Sequence, residues 1–316
     1  MTRLLFFSLL IFAACQNNSS HYPDDGTNAM PDVYLLVLGV AQDGGYPHVN
    51  CNKTCCQLYW AGQRPKRTPT CLALVDGRSG KCWMFEATPE YTDQWERLRK
   101  AAGTSKQGAP DGIFLTHAHI GHYTGLMYLG REAQGADGVP VYALPRMKTF
   151  LENNGPWSQL VSLKNISIRP IQADSAIQLA SDIRVIPFTV PHRDEYSETA
   201  GYRIEVRGKT MLFIPDIDKW EKWDRDIVQE IKSADAAYLD ATFYKNGELA
   251  RDMAEIPHPF IEESMQRFGR LTAAEKARVH FIHFNHTNPM LWDFEEIKNV
   301  EQQGFRIARE GQVFAF

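Results

Sequence analysis

The chain has 316 residues, 44% of them hydrophobic and 23% charged, with a formal net charge of −4. These values describe an ordinary globular protein with ample material for a core. Basic side chains gather nowhere more densely than residues 64–67, so charge gives no support for nucleic-acid binding, and none is expected.

The N-terminus reads as a targeting segment. Arg3 precedes an apolar run at residues 4–14, too short for a stable membrane span, that ends in small residues before Cys15. Phe12-Ala13-Ala14-Cys15 resembles a bacterial lipobox, with Phe12 where leucine is usual. The resemblance implies a signal peptide at 1–14, cleavage before Cys15 and diacylation of its thiol. A tether at 15–31 would then hold the exported protein to a membrane, and a plain secretory signal is the alternative. The folded domain is residues 32–316 in either case. Export implies an oxidising compartment for Cys51, Cys55, Cys56, Cys71 and Cys82, an odd number. A hairpin centred on Arg78 places Cys71 opposite Phe85 rather than Cys82, so both are read as core residues.

From there the hydrophobic pattern predicts a buried strand at 33–40, a turn at 41–45, hairpin strands at 70–75 and 82–86, and a helix at 88–102. A strand at 113–115 leads into a histidine-rich loop and a helix start, then a strand at 141–144 and a short helix at 147–152. The second half has strands at 166–171, 183–190, 200–206 and 210–214, a helix at 220–233 and a strand at 236–239. A helix after Pro259, a strand at 278–284 and a terminal hairpin of 305–308 with 312–316 complete it. Strand-rich halves punctuated by helices predict one domain layered helix, sheet, sheet, helix.

The chemistry concentrates in the loop. His117, His119 and His122 fall within six residues, between a strand and a helix start. Imidazole suits zinc, and a catalytic zinc takes about three protein ligands and keeps one open position. Further ligands should stand where other strands end, because such loops carry function on a rigid scaffold. His192, Asp216 and His283 do so, with Asp218 competing for the place of Asp216.

The run from His117 to His122 resembles the HxHxDH signature of the metallo-β-lactamase-fold hydrolases, except that Gly121 stands where the family has aspartate. The resemblance implies a four-layer αββα sandwich of the α/β (α+β) class. It places His117, His119 and His192 on one metal, His122 and His283 on a second, and Asp216 between them. Zinc is the expected cofactor, as one or two ions. Since glycine offers no ligand, iron or manganese is the alternative at the second position.

Tyr238-Leu239-Asp240-Ala241-Thr242-Phe243, followed by His258, resembles the ribonuclease Z-like and phosphodiesterase-like subgroup. There the histidine is the general acid and the carboxylate orients it, which implies catalytic roles for His258 and Asp240 beside Asp216. Cys51, Cys55 and Cys56 with His286 resemble the structural zinc site of the phosphonate-pathway phosphodiesterase. A disulfide from Cys51 to Cys55 or Cys56 is the alternative. Across most of the chain, Gly39 to Pro47 with Asn50-Cys51-Asn52, and Phe281 to Pro289, resemble the coenzyme PQQ synthesis protein B family. The expectation is an exported metal-dependent hydrolase that cleaves a small-molecule phosphodiester or related ester with a metal-activated water. The alternative is a metal-dependent oxygenase, or another redox metalloenzyme, of the PQQ-synthesis-B type.

Overall fold

The computed structural model describes residues 30–102 and 108–316, and Pro31–Phe316 clusters as one compact unit. The expected signal peptide and lipobox, with nearly all of the tether, lie outside the described residues.

Two seven-stranded sheets face each other. The first takes β1 (Val33–Gly39), β2 (Cys71–Asp76), β3 (Lys81–Phe85), β4 (Gly112–Phe114), β5 (Val139–Ala143) and β6 (Ile166–Pro170). The second takes β7 (Ile177–Ala180), β8 (Ile183–Val190), β9 (Thr199–Val206), β10 (Lys209–Ile214), β11 (Ala236–Asp240), β12 (Val279–Ile282) and β13 (Arg306–Ile307), and β14 (Val313–Ala315) returns to the first. The described helices are α1 (Thr54–Trp60), α2 (Tyr91–Ala101), α3 (Ile120–Tyr123), α4 (Pro145–Asn153), α5 (Trp157–Ser162), α6 (Ile227–Lys232), α7 (Ile261–Arg267), α8 (Ala273–Lys276) and α9 (Phe294–Gln302).

β1 shows why the pattern gives layers. Val33, Leu35 and Val37 enter the core shared with the second sheet, while Tyr34, Leu36 and Leu38 pack under the helices on the outer face. A strand covered on both faces must be apolar at every position, which is how this run reads. Tyr91 and Leu98 of α2, Met147 and Leu151 of α4, and Trp157 and Leu160 of α5 complete that outer core. Ile227 and Ile231 of α6, Ile261 and Met265 of α7, and Val300 of α9 cover the second sheet. The architecture is the αββα sandwich.

Four local expectations need correction. The chain does not end on a hairpin: β13 pairs parallel with β12, whereas β14 pairs antiparallel with β1 in the other sheet. The helix expected at 220–233 is a 3-10 turn at Trp220–Lys222 followed by α6. Trp220 and Trp223 are buried, and their indole N–H groups donate to Ser264 Oγ at 2.9 Å and the Thr189 carbonyl at 3.0 Å. Those two anchors, with Asp226 capping α6 through Val228 N at 2.9 Å, divide the segment. Helix α2 starts at Tyr91 rather than residue 88, because the Thr88 hydroxyl donates to Gln94 Oε1 and accepts from Glu90 N, fixing a turn. Finally, Leu72 rather than Cys71 lies opposite Phe85. Cys71 and Cys82 are still buried, and neither forms a disulfide.

Candidate metal centre

The site is built where strands end. Within the first sheet β1, β3 and β4 run in one direction, and within the second β8, β10, β11 and β12 do. Side chains just past their C-terminal ends therefore gather on one edge: Asp43 after β1, Glu86 after β3, His117 after β4, His192 after β8, Asp216 after β10, Asp240 at the end of β11 and His283 after β12.

His117, His119, His192 and Asp216 form one group whose ligand atoms all lie within 4.8 Å of each other. His117 Nε2 is 2.8 Å from His119 Nδ1, and His192 Nε2 is 3.3 Å from the same atom. Asp216 Oδ2 stands 3.4 Å from His117 Nε2 and 3.3 Å from His192 Nε2. A tetrahedral ion with metal–nitrogen bonds of 2.0–2.1 Å separates its ligands by about 3.3 Å, close to most of these values.

Asp43, His122, Asp216 and His283 form the second group. Asp43 Oδ1 lies 3.2 Å from His122 Nε2 and 3.5 Å from His283 Nε2, and Asp216 Oδ2 is 3.6 Å from His122 Nε2. Buried His283 Nε2 has no hydrogen-bond partner, as fits an atom reserved for a cation. Asp43, read from the sequence only as part of a turn, brings the carboxylate that Gly121 lacks. The two positions exclude each other: a Cβ on Gly121 would lie 2.4 Å from Asp43 Cα and 2.6 Å from its Cβ.

The remaining ring nitrogens meet oxygens, the arrangement that orients metal-binding imidazoles. His117 Nδ1 lies 2.9 Å from Thr116 Oγ1, which donates to Glu86 Oε1 at 2.6 Å. That same buried carboxylate oxygen is 3.2 Å from His122 Nδ1. Glu86 adopts φ +87°, an unusual backbone for a non-glycine residue at this position. Asp218, the competitor for Asp216, instead faces His192 Nδ1 at 3.4 Å, and Thr242 Oγ1 is 2.9 Å from His283 Nδ1.

Burial and charge set the protonation pattern. Burial holds His117 well below the usual imidazole value, and the neighbouring His122 adds to the effect. For His122 burial also works downward, but Glu86 and Asp43 outweigh it and raise the group well above that value. Burial likewise opposes ionisation of Asp216, yet His192, His258 and His283 hold its carboxyl far below the normal range. The result is a dehydrated set of anions and imidazoles suited to a cation.

His258 closes the site. Its Nδ1 lies 2.8 Å from Asp240 Oδ2 and 3.1 Å from Asp216 Oδ1. Burial lowers its pKa, but Asp240 and Asp216 prevail and raise it to about 10. Asp240 is itself fixed, accepting from Thr242 N, Thr242 Oγ1 and Ile217 N.

With this geometry in place, the sequence model of the beta-lactamase superfamily domain matches residues 84–284. The chain belongs to the metallo-β-lactamase superfamily. Coenzyme PQQ synthesis protein B of Methylorubrum extorquens (strain PA1) is 24% identical over 303 residues, covering 88% of this chain and 98% of its own. Zn(2+)-bound PqqB from Methylobacterium extorquens superposes with a TM-score of 0.74 at 22% identity, covering 90% of this chain and all 100% of that one. A diphosphatase from the PhnP family gives 0.64 at 20%, covering 90% and 97%.

A second cluster sits beside this superfamily site. Cys51, Cys56 and His286 offer ligand atoms within 4.8 Å of one another, and His286 stacks on His48 with ring centroids 4.4 Å apart. Cys55 Sγ lies 3.9 Å from Cys51 Sγ and 4.0 Å from Cys56 Sγ, near the roughly 3.8 Å edge of a zinc thiolate tetrahedron. All three thiols are free, so the alternative disulfide is not formed. Burial pushes Cys55 up to about 12, while hydrogen bonds from the Lys53 backbone and the neighbouring thiols overcome burial at Cys51 and lower it. His286 Nδ1 is buried without a hydrogen-bond partner, as His283 Nε2 is.

Proposed function

We propose that the protein is a metal-dependent hydrolase of phosphodiesters or closely related anionic esters. The observation that carries this reading is the His258–Asp240 pair at 2.8 Å, joined through Asp216 to both ligand groups. Binding a cation needs no such pair; cleaving an ester does, because an alkoxide leaves poorly without a proton. His117, His119, His192 and Asp216 would hold one ion, and Asp43, His122, His283 and the shared Asp216 a second. When bound, the ions supply Lewis-acid stabilisation and a water of lowered pKa. Asp216 holds the two groups in register. Asp240 keeps His258 protonated and turned so that Nε2, which makes no hydrogen bond among the described residues, delivers the proton to the departing oxygen. Zinc in both groups is consistent with their nitrogen and carboxylate donors.

The test is hydrolysis of bis-p-nitrophenyl phosphate by natively purified protein of measured metal content. His258→Ala should lower kcat by about 10²–10⁴-fold with metal content retained. Unchanged kcat would remove His258 from the reaction.

A redox metalloenzyme is the second reading, supported by the PQQ-synthesis relative at 24% identity. Iron in the native protein, together with no ester turnover, would favour it. We also propose that the mature chain begins at a lipidated Cys15 and is exported. Intact mass of the membrane-extracted protein checks this, and an unprocessed N-terminus would refute it.

A further inference from the structure

The segment 191–198 carries His192, sets Glu195 beside His119 at the metal centre, and is anchored at Pro191, Asp194, Ser197 and Glu198. Asp218 N donates to the Pro191 carbonyl at 2.7 Å. Arg146 bonds Asp194 through both its carboxylate, at 2.9 Å, and its carbonyl, at 2.6 Å. Ser197 Oγ accepts from Ala118 N at 2.9 Å, and the Glu198 carboxylate accepts the N–H groups of Arg146 and Met147 at the start of α4. Three side chains on this braced segment do none of that work: Arg193, Glu195 and Tyr196.

Their placement is specific. Glu195 Oε2 lies 3.2 Å from His119 Nε2. Arg193 is exposed, its charge acts on both His119 and Glu195, and among the described residues no carboxylate stands within ion-pair distance of it. Other cations around the centre are engaged: Arg146 with Asp194, Lys219 with Glu263 and Lys222 with Asp218. Tyr196 is 63% exposed although its ring rests 5.7 Å from Phe150, and Ile120, directly after His119, is 66% exposed. Behind them Phe150, Tyr123 and Trp157 form a continuous aromatic wall. A guanidinium with no carboxylate in ion-pair distance among the described residues thus acts on His119, and two exposed apolar side chains, Ile120 and Tyr196, directly follow His119 and its partner Glu195 in the chain.

We propose that this rim selects an anionic diester bearing a planar ring: Arg193 holds a non-reacting anionic oxygen, and Tyr196 with Ile120 packs the ring on the ester arm. The assignment rests on the hydrolytic reading of the metal centre for its reaction, and on the rim alone for its ligand. Stacking of a planar group on an aromatic side chain is worth about tenfold in affinity, and a guanidinium–phosphate contact adds to it independently of the arm.

The experiment uses the metal-loaded full chain and two probes, diphenyl phosphate and dimethyl phosphate, titrated by calorimetry. Diphenyl phosphate should bind roughly tenfold tighter than dimethyl phosphate. Tyr196→Ala should erase most of that gap, and Arg193→Gln should weaken both ligands while leaving the gap in place. Absence of a gap in the native protein, or a gap that survives Tyr196→Ala, overturns the proposal. Turnover of bis-p-nitrophenyl and methyl p-nitrophenyl phosphate, measured alongside, keeps the two readings apart. A gap in binding without turnover refutes hydrolysis and supports the rim; turnover without a gap refutes the rim alone.

Discussion

The exchange of an aspartate between Gly121 and Asp43 makes a demanding test of the second ligand group. A Cβ at residue 121 would sit 2.4 Å from Asp43 Cα and 2.6 Å from its Cβ and Cγ. These are backbone and near-backbone atoms of the segment after β1, which is held by Gln42 N on the Phe284 carbonyl at 2.8 Å, so no flexible side-chain end can swing away. Gly121→Ala should therefore cost about 1–3 kcal/mol of overpacking. In a chain of this length that lowers Tm by about 2–5 °C. Because the strain is relieved by moving Asp43, it should also remove the carboxylate from His122 and His283, and the ion on that group should be lost to a competing chelator first. Asp43→Asn, which creates no clash, should lose the same ion at nearly unchanged Tm. The double variant Asp43→Gly with Gly121→Asp restores the family's usual letter, yet it should not restore the ion, since Asp43 Cα itself lies in the way. Calorimetric unfolding and metal analysis after graded chelation measure all four proteins. A double variant with native Tm and a full metal complement would refute the reasoning.

Other consequences can be checked separately. Glu86→Gln keeps the shape of the carboxylate that faces both Thr116 and His122, yet should weaken metal affinity about 10–100-fold in chelator competition; an unchanged affinity would make Glu86 a packing residue only. Cys51→Ser should abolish the metal on the thiol cluster and lower Tm, while leaving bis-p-nitrophenyl phosphate turnover per folded molecule within about twofold, because structural sites contribute folding energy rather than chemistry. His280, stacked on Tyr238 and bonded to Gln312, is held at about 4 by burial and then Arg306. A histidine with a depressed folded pKa contributes stability that is complete above about 6.5 and declines as pH falls toward 4, by at most about 3 kcal/mol. Urea unfolding at pH 7.5 and 4.5 should accordingly show a smaller pH effect in His280→Gln than in the native protein, and equal effects would contradict the assignment.

The fold was legible wherever one physical rule dominated. Strands buried on both faces, such as β1 and residues 211–214 of β10, announce themselves as unbroken apolar runs, and the candidate ligands that follow them stand out as polar residues at a fixed place. His192, Asp216 and His283 could be read in that way from single positions. The same rule points to Asp43 and Glu86, which also end strands. Asp43 was hidden because it shares a glycine-rich stretch with a turn, and Glu86 because a hairpin strand ending in a carboxylate looks solvent-facing. β7 leaves no signal in the sequence because its four residues are only half-buried or exposed, so neither alternation nor a continuous run survives. Sequence proximity predicts a hairpin of β13 and β14; here pairing is decided by the open edges of β12 and β1, which lie in different sheets.

Asp216 shows why the site could be inferred from scattered letters at all. One oxygen stands within 3.3–3.6 Å of ligand atoms on His117, His192 and His122, and the other within 3.1 Å of His258. A fully buried carboxylate with so many cationic or cation-binding neighbours is costly to retain unless they arrive together, since each one missing leaves charge uncompensated in a dry interior. That requirement ties residues separated by more than a hundred positions into a single set. Loss of any one imidazole should therefore shift the protonation of the others, not simply delete one contact. Titration of the histidine ring signals in the metal-free protein, compared between native and His192→Ala, reads this directly. In the native protein His192 sits at about 9, with burial overcome by Asp216 and then Asp218. Its removal should raise the pKa of His117, whose burial is now joined by repulsion from His122 and His192, because one of those repulsions is gone. Independent titration of the remaining rings would mean that they do not share Asp216.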